Sequence, residues 1–306
     1  MPMTSCSKAA WITLVTLTGL CVTAAMTKVA AEMPETQSLS SQNVPAPTGD
    51  ARDACEFQGG EPHAVLRITD ANSIVVDDGR EVRLAGILFP PSPPQTRNTW
   101  APANDAHAAF LQLTANKNIR FSQTARQQDR YGRTLAAVHL SDQNGAWVQH
   151  SLVEQGHAIV SSRSGASAAC LRDLLGAEQI ARSAKRGLWA NAYYQVHAAD
   201  RPVELLRLRS QFALVEGTVV SVTPLAGRLY ISFGGTWKSD FTIVVPKPLL
   251  LANSGAAERL TALVGKQVRV RGWIESRYGP SIEIYNLADI ETIATLEGAV
   301  TSIVPP

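Results

Sequence analysis

The sequence predicts a mainly β protein with helices, in which a β-barrel is followed by a second, smaller barrel. Segments of alternating apolar and polar residues recur in two stretches, 55–195 and 211–293, and such alternation indicates strands with one buried face. Each stretch orders its elements as three strands, a helix and two strands, which is the order of a five-stranded OB-type barrel. The length of 306 residues and the 45% apolar content suit two domains plus appendages.

The first 31 residues have the layout of a signal peptide. An apolar run from Ala9 to Met26 follows Lys8, and a small-residue site ends at Ala31. This pattern predicts cleavage after Ala31 and export to the periplasm or the medium. An uncleaved membrane anchor is the alternative, although threonines interrupt the run. Residues 32–54 are rich in Pro, Ser, Gln and Thr, which predicts a disordered linker.

Cleavage would also change the charge of the chain. It would remove Lys8 and Lys28 from the 28 basic residues, so that basic and acidic residues would balance at 26 each. A basic surface covering the whole protein, of the kind that binds nucleic acid, is therefore not expected. Any affinity for phosphate must come from local clusters of cations.

The cysteines point to an oxidising compartment. Cys6 and Cys21 lie in the predicted signal peptide, which leaves Cys55 and Cys170 in the mature chain. Two thiols in an exported protein are candidates for a disulfide, and two unpaired buried thiols are the alternative. Neither cysteine has a second Cys or His close by in sequence, so a zinc site is not indicated.

Local patterns give the elements of the first stretch. Strands are predicted at 63–70, 73–76, 81–88, 119–123 and 134–140, with a further extended segment at 156–160. Helices are predicted from about Asn104, at 146–155 and at 167–186, the last ending before Gly187.

The turn between the last two barrel strands carries unusual chemistry. Gly132 supplies the backbone freedom that a turn requires. Arg130 and Arg133 flank Tyr131 on this turn, and guanidinium groups are planar, permanently charged donors that match phosphate oxygens. A solvated hairpin with two surface arginines is the alternative.

The second stretch follows a connector at 196–210. Strands are predicted at 212–222, 228–233, 241–245, 267–275 and 281–285, a helix at 256–263, and a tail at 294–306. Aromatic and basic residues are interleaved here: Tyr230, Phe233, Trp237 and Phe241 with Arg228 and Lys238, and Trp273, Tyr278 and Tyr285 with Arg269, Arg271 and Arg277. Rings between cations suit single-stranded nucleic acid, whereas rings on alternating strands are also typical of a core.

Five segments occur in the order found in one known family. They are Ile68–Ile74, Val82–Ile87, Asp129–Arg133, Leu152–Ala158 and Gly187–Trp189. With these segments, residues 65–189 resemble the staphylococcal nuclease (thermonuclease-like) family. The resemblance implies that the first barrel is an OB-fold barrel.

The resemblance also implies which residues would be catalytic. Active members of the family cleave phosphodiesters with one calcium ion, two arginines and three carboxylates. Arg83 and Arg133 match the arginines, whereas the carboxylate positions carry Asn72, Leu88 and Pro91. Leucine and proline side chains offer no oxygen to calcium, and proline cannot accept a proton from water.

The sequence therefore favours a catalytically degenerate nuclease fold without a metal or another cofactor. A phosphate-binding pocket is predicted around Arg83, Arg130, Tyr131 and Arg133, with single-stranded nucleic acid or another phosphate-bearing ligand as the partner. Membrane contact is expected only if the signal segment stays uncleaved.

Three alternatives remain open at this point. In the first, Arg83 and Arg133 pair with local acids such as Asp129 or Glu81 and have only a structural role. In the second, the chain is an active, Ca²⁺-dependent phosphodiesterase with a rearranged metal site. In the third, the chain is a structural or protein-interaction module of the cell envelope.

The six histidines, at 63, 107, 139, 150, 157 and 197, show no ligand spacing and are interpreted as surface or core residues.

Overall fold

A barrel and a second sheet make up the part of the chain that the structure describes. In this computed structural model the described residues are 55, 60–70, 73–93, 96, 99–236, 239–276 and 279–293. The predicted signal peptide, the predicted linker and the predicted tail lie outside them. No helix within these ranges is long and apolar enough to cross a bilayer.

The described residues of the first half form seven strands and three α-helices. The strands are β1 (His63–Asp70), β2 (Ser73–Val76), β3 (Glu81–Leu84), β4 (Ile87–Leu88), β5 (Asn118–Gln128), β6 (Thr134–Leu140) and β7 (Ile159–Val160). The helices are α1 (Ala101–Thr114), α2 (Val148–Glu154) and α3 (Ala168–Ser183). Five of the strands pair in the order β1–β2–β3–β6–β5, and β5 pairs back with β1, so that this sheet closes on itself.

The predicted strand at 81–88 is in fact two strands. The chain turns at Gly86, whose φ is +82° and whose missing side chain makes room for Leu174 of α3, because a Cβ there would lie 2.8 Å from Leu174 Cδ1. After this turn β4 leaves the barrel and pairs with β7. The prediction of one continuous strand was wrong because the interruption depends on a helix distant in sequence.

The barrel core consists of side chains from the predicted inner faces of strands and helices. Ile74, Val82 and Val138 are completely buried, as are Phe110 of α1 and Leu174 of α3. Within one element the buried residues are two apart on a strand, as Ile74 and Val76 are, or three to four apart on a helix, as Leu171 and Leu174 are, which places them on one face. Burial of this apolar surface is the main stabilising contribution.

A disulfide joins Cys55 to Cys170 at the start of α3, which confirms the pairing predicted as one of two alternatives. The Cα atoms are 5.2 Å apart, and the two residues are separated by 115 positions. Ser167 caps the same helix, since its side chain accepts a hydrogen bond from the Cys170 amide at 3.2 Å. Cys55 is thus fixed to α3.

Cys170→Ser is expected to lower the free energy of unfolding by about 2–5 kcal/mol, because the unfolded chain would regain the entropy of a long open loop. Urea unfolding of the oxidised mature protein measures the change. Reduced wild-type protein is the control and should match the variant, whereas equal midpoints for the variant and the oxidised wild type would contradict the prediction.

The second half forms a larger sheet with three helices. Its strands are β8 (His197–Ala198), β9 (Phe212–Thr218), β10 (Ser221–Leu225), β11 (Arg228–Ser232), β12 (Thr242–Val245), β13 (Gln267–Ser276), β14 (Pro280–Glu283) and β15 (Ile290–Thr292). Its helices are α4 (Pro202–Arg207), α5 (Lys247–Ala252) and α6 (Ala256–Thr261). The strand order is β10–β11–β12–β14–β13–β9–β8, with β15 also pairing with β13.

Two details of this half differ from the sequence-based expectation. The predicted strand at 212–222 is divided into β9 and β10 at Val219 and Val220. The predicted connector contains α4, and Leu205 of that helix is completely buried in the second core. Leu205 is the one buried residue of this helix. The sequence therefore has no periodic pattern of apolar residues that would have predicted the helix.

The barrel and the second sheet share a buried boundary. Ile159, Leu188 and Tyr194 from the first half form one apolar cluster with Leu214 of β9. Next to it, the Arg271 side chain of β13 is 1% exposed and donates to both carboxylate oxygens of Glu178 of α3, at 2.8 and 2.9 Å. These contacts unite the two halves into one compact unit.

Candidate functional site

The turn between β5 and β6 is built around the carboxylate of Asp129. One of its oxygens accepts hydrogen bonds from the amides of Tyr131 and Arg133, at 2.9 and 3.1 Å. Gly132 adopts a φ of +78°, which residues with side chains rarely tolerate. The sequence Asp-Arg-Tyr-Gly-Arg therefore fixes where both arginines of the turn leave the backbone.

The second oxygen of Asp129 holds the two arginines that the sequence singled out. Arg133 Nε donates to it at 2.9 Å, and Arg83 Nη1 of β3 lies 3.3 Å from it. Arg133 also lies 3.8 Å from a carboxylate oxygen of Glu81. The pairing with local acids that the sequence left open is therefore present.

Asp129 remains ionised at neutral pH. Burial raises the pKa of its carboxyl group, but the hydrogen bonds from the Tyr131 amide and from Arg133 outweigh this, and the pKa lies below its usual value. The stabilisation that follows is present above the pKa of an unfolded aspartate and is lost as the pH falls through the lower folded value.

A pocket of about 530 Å³ opens beside this turn. Its cationic lining comes from four arginines, Arg83, Arg126, Arg130 and Arg163. Asp129 is the one carboxylate among the described lining residues. Three of these arginines are exposed, namely Arg126, Arg130 and Arg163. None of the three has a carboxylate partner among the described residues. The pocket therefore has an excess of positive charge.

Arg126 and Arg163 were missed by the sequence reasoning. Arg126 belongs to β5, which runs five residues beyond its predicted end and so reaches the turn. Arg163 follows β7, a strand distant in sequence from the arginine-rich turn. The proximity of Arg126 to Asp129 in sequence was an available signal, whereas Arg163 carried none.

Aromatic rings lie among these arginines. Tyr131 is 65% exposed, with the guanidinium carbon of Arg130 4.7 Å from its ring centroid. Tyr285, which follows β14, is 47% exposed and has Arg163 at 5.0 Å from its ring centroid. Trp273 of β13 also lines the pocket and contacts Phe212 edge to face at 6.1 Å. Two of the three rings come from the second sheet.

Comparisons with known proteins agree with the barrel and its arginine turn. The family model described as "Staphylococcal nuclease homologue" matches residues 81–191. This range includes β3, the turn and α3. The chain carries a staphylococcal nuclease-like domain. A thermonuclease of Staphylococcus intermedius is 33% identical over 91 residues, which cover 28% of this chain and 52% of that protein. The chain thus spans about half the length of this relative.

The described residues that line the pocket of the nuclease-like domain do not fit a calcium ion. Leu88 lines the pocket with an apolar side chain, and the Pro91 carbonyl already accepts a hydrogen bond from the Tyr194 hydroxyl at 2.9 Å. Asp129 is engaged by Arg83 and Arg133, whose positive charges would also repel a cation. Calcium requires several oxygen ligands. Asn72, at the third carboxylate position, lies outside the described residues.

Away from the pocket, the structure groups one histidine with two acids. The ligand atoms of His63, Asp77 and Asp78 lie within 4.8 Å of one another, which the sequence interpretation of His63 did not anticipate. Arg80 already pairs with two members of this group, since its side chain binds Asp78 and lies 3.0 Å from His63 Nε2. The bond from Arg80 lowers the pKa of Asp78 to about 2.

The other aromatic and basic residues of the second sheet have mainly structural roles. Phe233 and Phe241 are buried and pack against each other with ring centroids 5.3 Å apart. Arg269 pairs with Glu216 at 2.9 Å, and Arg271 is buried against Glu178. Phe233 and Phe241 are therefore core residues, as one of the two interpretations predicted, and Arg269 and Arg271 form ion pairs. Arg228 pairs with Glu283 at 3.0 Å, and Tyr230 lies on β11. Trp237, Lys238, Arg277 and Tyr278 lie outside the described residues.

Proposed function

We propose that the mature chain is an exported protein whose nuclease-like domain binds single-stranded nucleic acid, or another phosphate-bearing ligand, without calcium-dependent hydrolysis. One observation carries this proposal: among the described residues, four arginines and a single, already paired carboxylate line the pocket. A nuclease-related function in general follows from the family of the domain.

The charge of the pocket supports binding of phosphate. Arg126, Arg130 and Arg163 are exposed, so their charges can be neutralised by a ligand without breaking an ion pair that the described residues make. Arg83 lines the pocket beside them and shares Asp129 with Arg133, which was predicted to line the pocket but is not among its described lining residues. Guanidinium groups held in fixed positions suit phosphate oxygens, which they bind in pairs of parallel hydrogen bonds.

The side chains at the carboxylate positions argue against hydrolysis. Phosphodiester cleavage needs an activated water and a means of stabilising the charge that develops on phosphorus-bound oxygens. Arginines supply the second requirement. Leu88 and Pro91 supply no base and no metal ligand for the first, and Asp129 is held ionised by its own partners.

The test combines binding and cleavage on the mature protein. A labelled 12-nucleotide poly(dT) strand is titrated by fluorescence anisotropy at several salt concentrations, and the same strand is incubated with CaCl₂ or with EDTA. We expect salt-sensitive binding and intact oligonucleotide under both conditions. Cleavage that requires Ca²⁺ and is abolished by Arg133→Ala would instead establish an active phosphodiesterase. Lack of binding at low salt would favour a structural or protein-interaction module of the envelope.

Export rests on the signal-like segment and is consistent with the disulfide, since disulfides persist in oxidising compartments. We expect the mature protein to begin at Glu32. N-terminal sequencing of protein recovered from a bacterial host tests this. Full-length protein held in the membrane fraction would support an uncleaved anchor.

We also propose that the second sheet closes as an OB-like barrel. Only Val219 and Val220 separate β9 from β10, and both are hydrogen-bonded: the Val219 amide to Lys266 at 3.0 Å, and the Val220 amide to Ser232 at 2.9 Å. These bonds support one continuous strand that pairs on both sides. Slow hydrogen exchange at both amides is expected, and rapid exchange would contradict closure.

A further inference from the structure

We propose that Tyr285 of the second half, supported by Trp273, stacks on a nucleobase of a single-stranded nucleic acid whose phosphate lies among the arginines of the nuclease-like domain. This inference rests on the proposed function and assigns the second half a direct part in recognition. The pocket is then a composite site: its four described arginines come from the first half, and two of its three described rings come from the second.

The exposure of Tyr285 is the first observation. Its ring is 47% exposed while lining the pocket, whereas Phe233 and Phe241 of the same sheet are buried. The Arg163 guanidinium lies 5.0 Å from its centroid. An exposed ring beside a cation provides both contacts that a nucleotide can use, one for the base and one for the phosphate.

Asp289 holds this arrangement in place. Its Oδ2 accepts hydrogen bonds from the Tyr285 amide at 2.9 Å and from the Ser162 hydroxyl at 2.7 Å. Ser162 directly precedes Arg163 in the first half, so one carboxylate ties the segment with the ring to the segment with the cation. Because the two are preorganised, less entropy is lost when a ligand binds between them.

Trp273 is positioned by the same boundary. It follows Arg271 by two residues on β13, and side chains two apart point to the same face of a strand. Arg271 is buried against Glu178 of α3, so this face is directed at the nuclease-like domain. Phe212 contacts the Trp273 ring edge to face, which leaves Trp273 half-buried as a supporting wall of the pocket.

The shape and chemistry of the pocket favour a nucleotide over phosphate alone. A volume of about 530 Å³ lies within the range that accommodates drug-sized ligands. Inorganic phosphate has no apolar face to pack against the rings of Tyr131, Tyr285 and Trp273. Duplex nucleic acid keeps its bases stacked inside the helix, so a single strand is the form that presents a free base face to these rings.

The experiment separates base binding from phosphate binding. A labelled six-nucleotide poly(dT) strand is compared with a strand of the same length made of abasic sugar phosphates, using wild-type mature protein. We expect the base-bearing strand to bind about 10-fold more tightly. Tyr285→Ala should abolish this difference, and Tyr285→Phe, which retains the ring, should keep it.

Failure of the stacking inference and failure of the proposed function give different results. Equal affinity of wild-type protein for the two strands would overturn the stacking inference and leave phosphate binding standing. The stacking inference would also be overturned if Tyr285→Ala weakened binding of both strands equally. If neither strand bound, the proposed function itself would fail. The comparison of strands on wild-type protein requires no variant, so equal affinities would overturn the inference even if Tyr285→Ala does not fold.

Discussion

Glu178→Gln is expected to lower the free energy of unfolding by about 3–5 kcal/mol, because it leaves a buried positive charge without its closest counter-charge. The Glu178 side chain is 0% exposed and that of Arg271 is 1% exposed. Glutamine keeps the size of the side chain and can still accept the hydrogen bond that the Val160 amide donates to Glu178 at 2.7 Å. The loss of stability therefore measures the effect of the missing charge and not the effect of a cavity.

The cluster around this pair explains the size of the effect. Arg271 also binds Glu291, which lies near Arg182 and Arg269 as well. Burial lowers the pKa of Arg271, but Glu178 and Glu291 outweigh it and raise the pKa above its usual value. Without Glu178, three guanidinium groups would share fewer carboxylates in a site that water cannot screen.

The pH dependence of stability also depends on the charges of this cluster. Burial raises the pKa of Glu291, but Arg271 and Arg182 outweigh burial, so the folded pKa lies below the usual value of a glutamate. The stabilisation by Glu291 is therefore complete above the unfolded pKa and disappears as the pH falls through the folded one. Wild-type protein should lose this part of its stability in acid.

Urea unfolding at pH 7 measures the Glu178→Gln effect. Glu204→Gln is the matched control, because Glu204 pairs with Arg201 at 3.3 Å on the surface, where the side chains are 55% and 65% exposed. Such surface pairs contribute about 0–1 kcal/mol. A Glu178→Gln effect no larger than that of the control would show that water reaches the cluster.

Replacing the pair together is a further check. The double variant Glu178→Leu and Arg271→Met removes both charges and should recover much of the stability that Glu178→Gln loses, since apolar groups of similar volume can replace a buried ion pair. A double variant as unstable as Glu178→Gln would assign the loss to packing.

The barrel was largely predictable because its information is local. The observed bounds of β1, β2 and β6 equal the predicted ones, since each strand has its own alternation and its own turn residues. Gly86 breaks this rule. Its sequence neighbours continue the strand pattern, and the reason for the turn is Leu174 on α3, which no local window contains.

The site was predictable only in part for the same reason. The turn at 129–133 carries its own geometry, since Asp129 and Arg133 are four residues apart and bond directly. The pairing of Arg271 with Glu178 spans 93 positions. In the sequence Arg271 resembled a cation beside stacking rings, whereas in the structure it anchors the strand that presents Trp273. Long-range partners decide between these roles.

Replacing Arg126, Arg130 and Arg163 together by glutamine is expected to weaken binding of a single strand by about 100-fold at 0.1 M salt. Each phosphate contact to a single strand contributes about 0.7 to the slope of log affinity against log salt, so three contacts contribute about 2. The slope should become shallower by that amount. All three residues are exposed, so stability should change little.

A variant with the same change in net charge is the control. Arg201, Arg207 and Arg209 are also exposed and do not line the pocket. Their replacement by glutamine should leave the slope nearly unchanged if phosphate binds at the pocket. If both triple variants lost affinity equally, binding would reflect only the total charge of the protein. Fluorescence anisotropy distinguishes the two results when the salt concentration is varied over about 50–200 mM, the range in which such slopes are measured. The result does not depend on whether a base stacks on Tyr285.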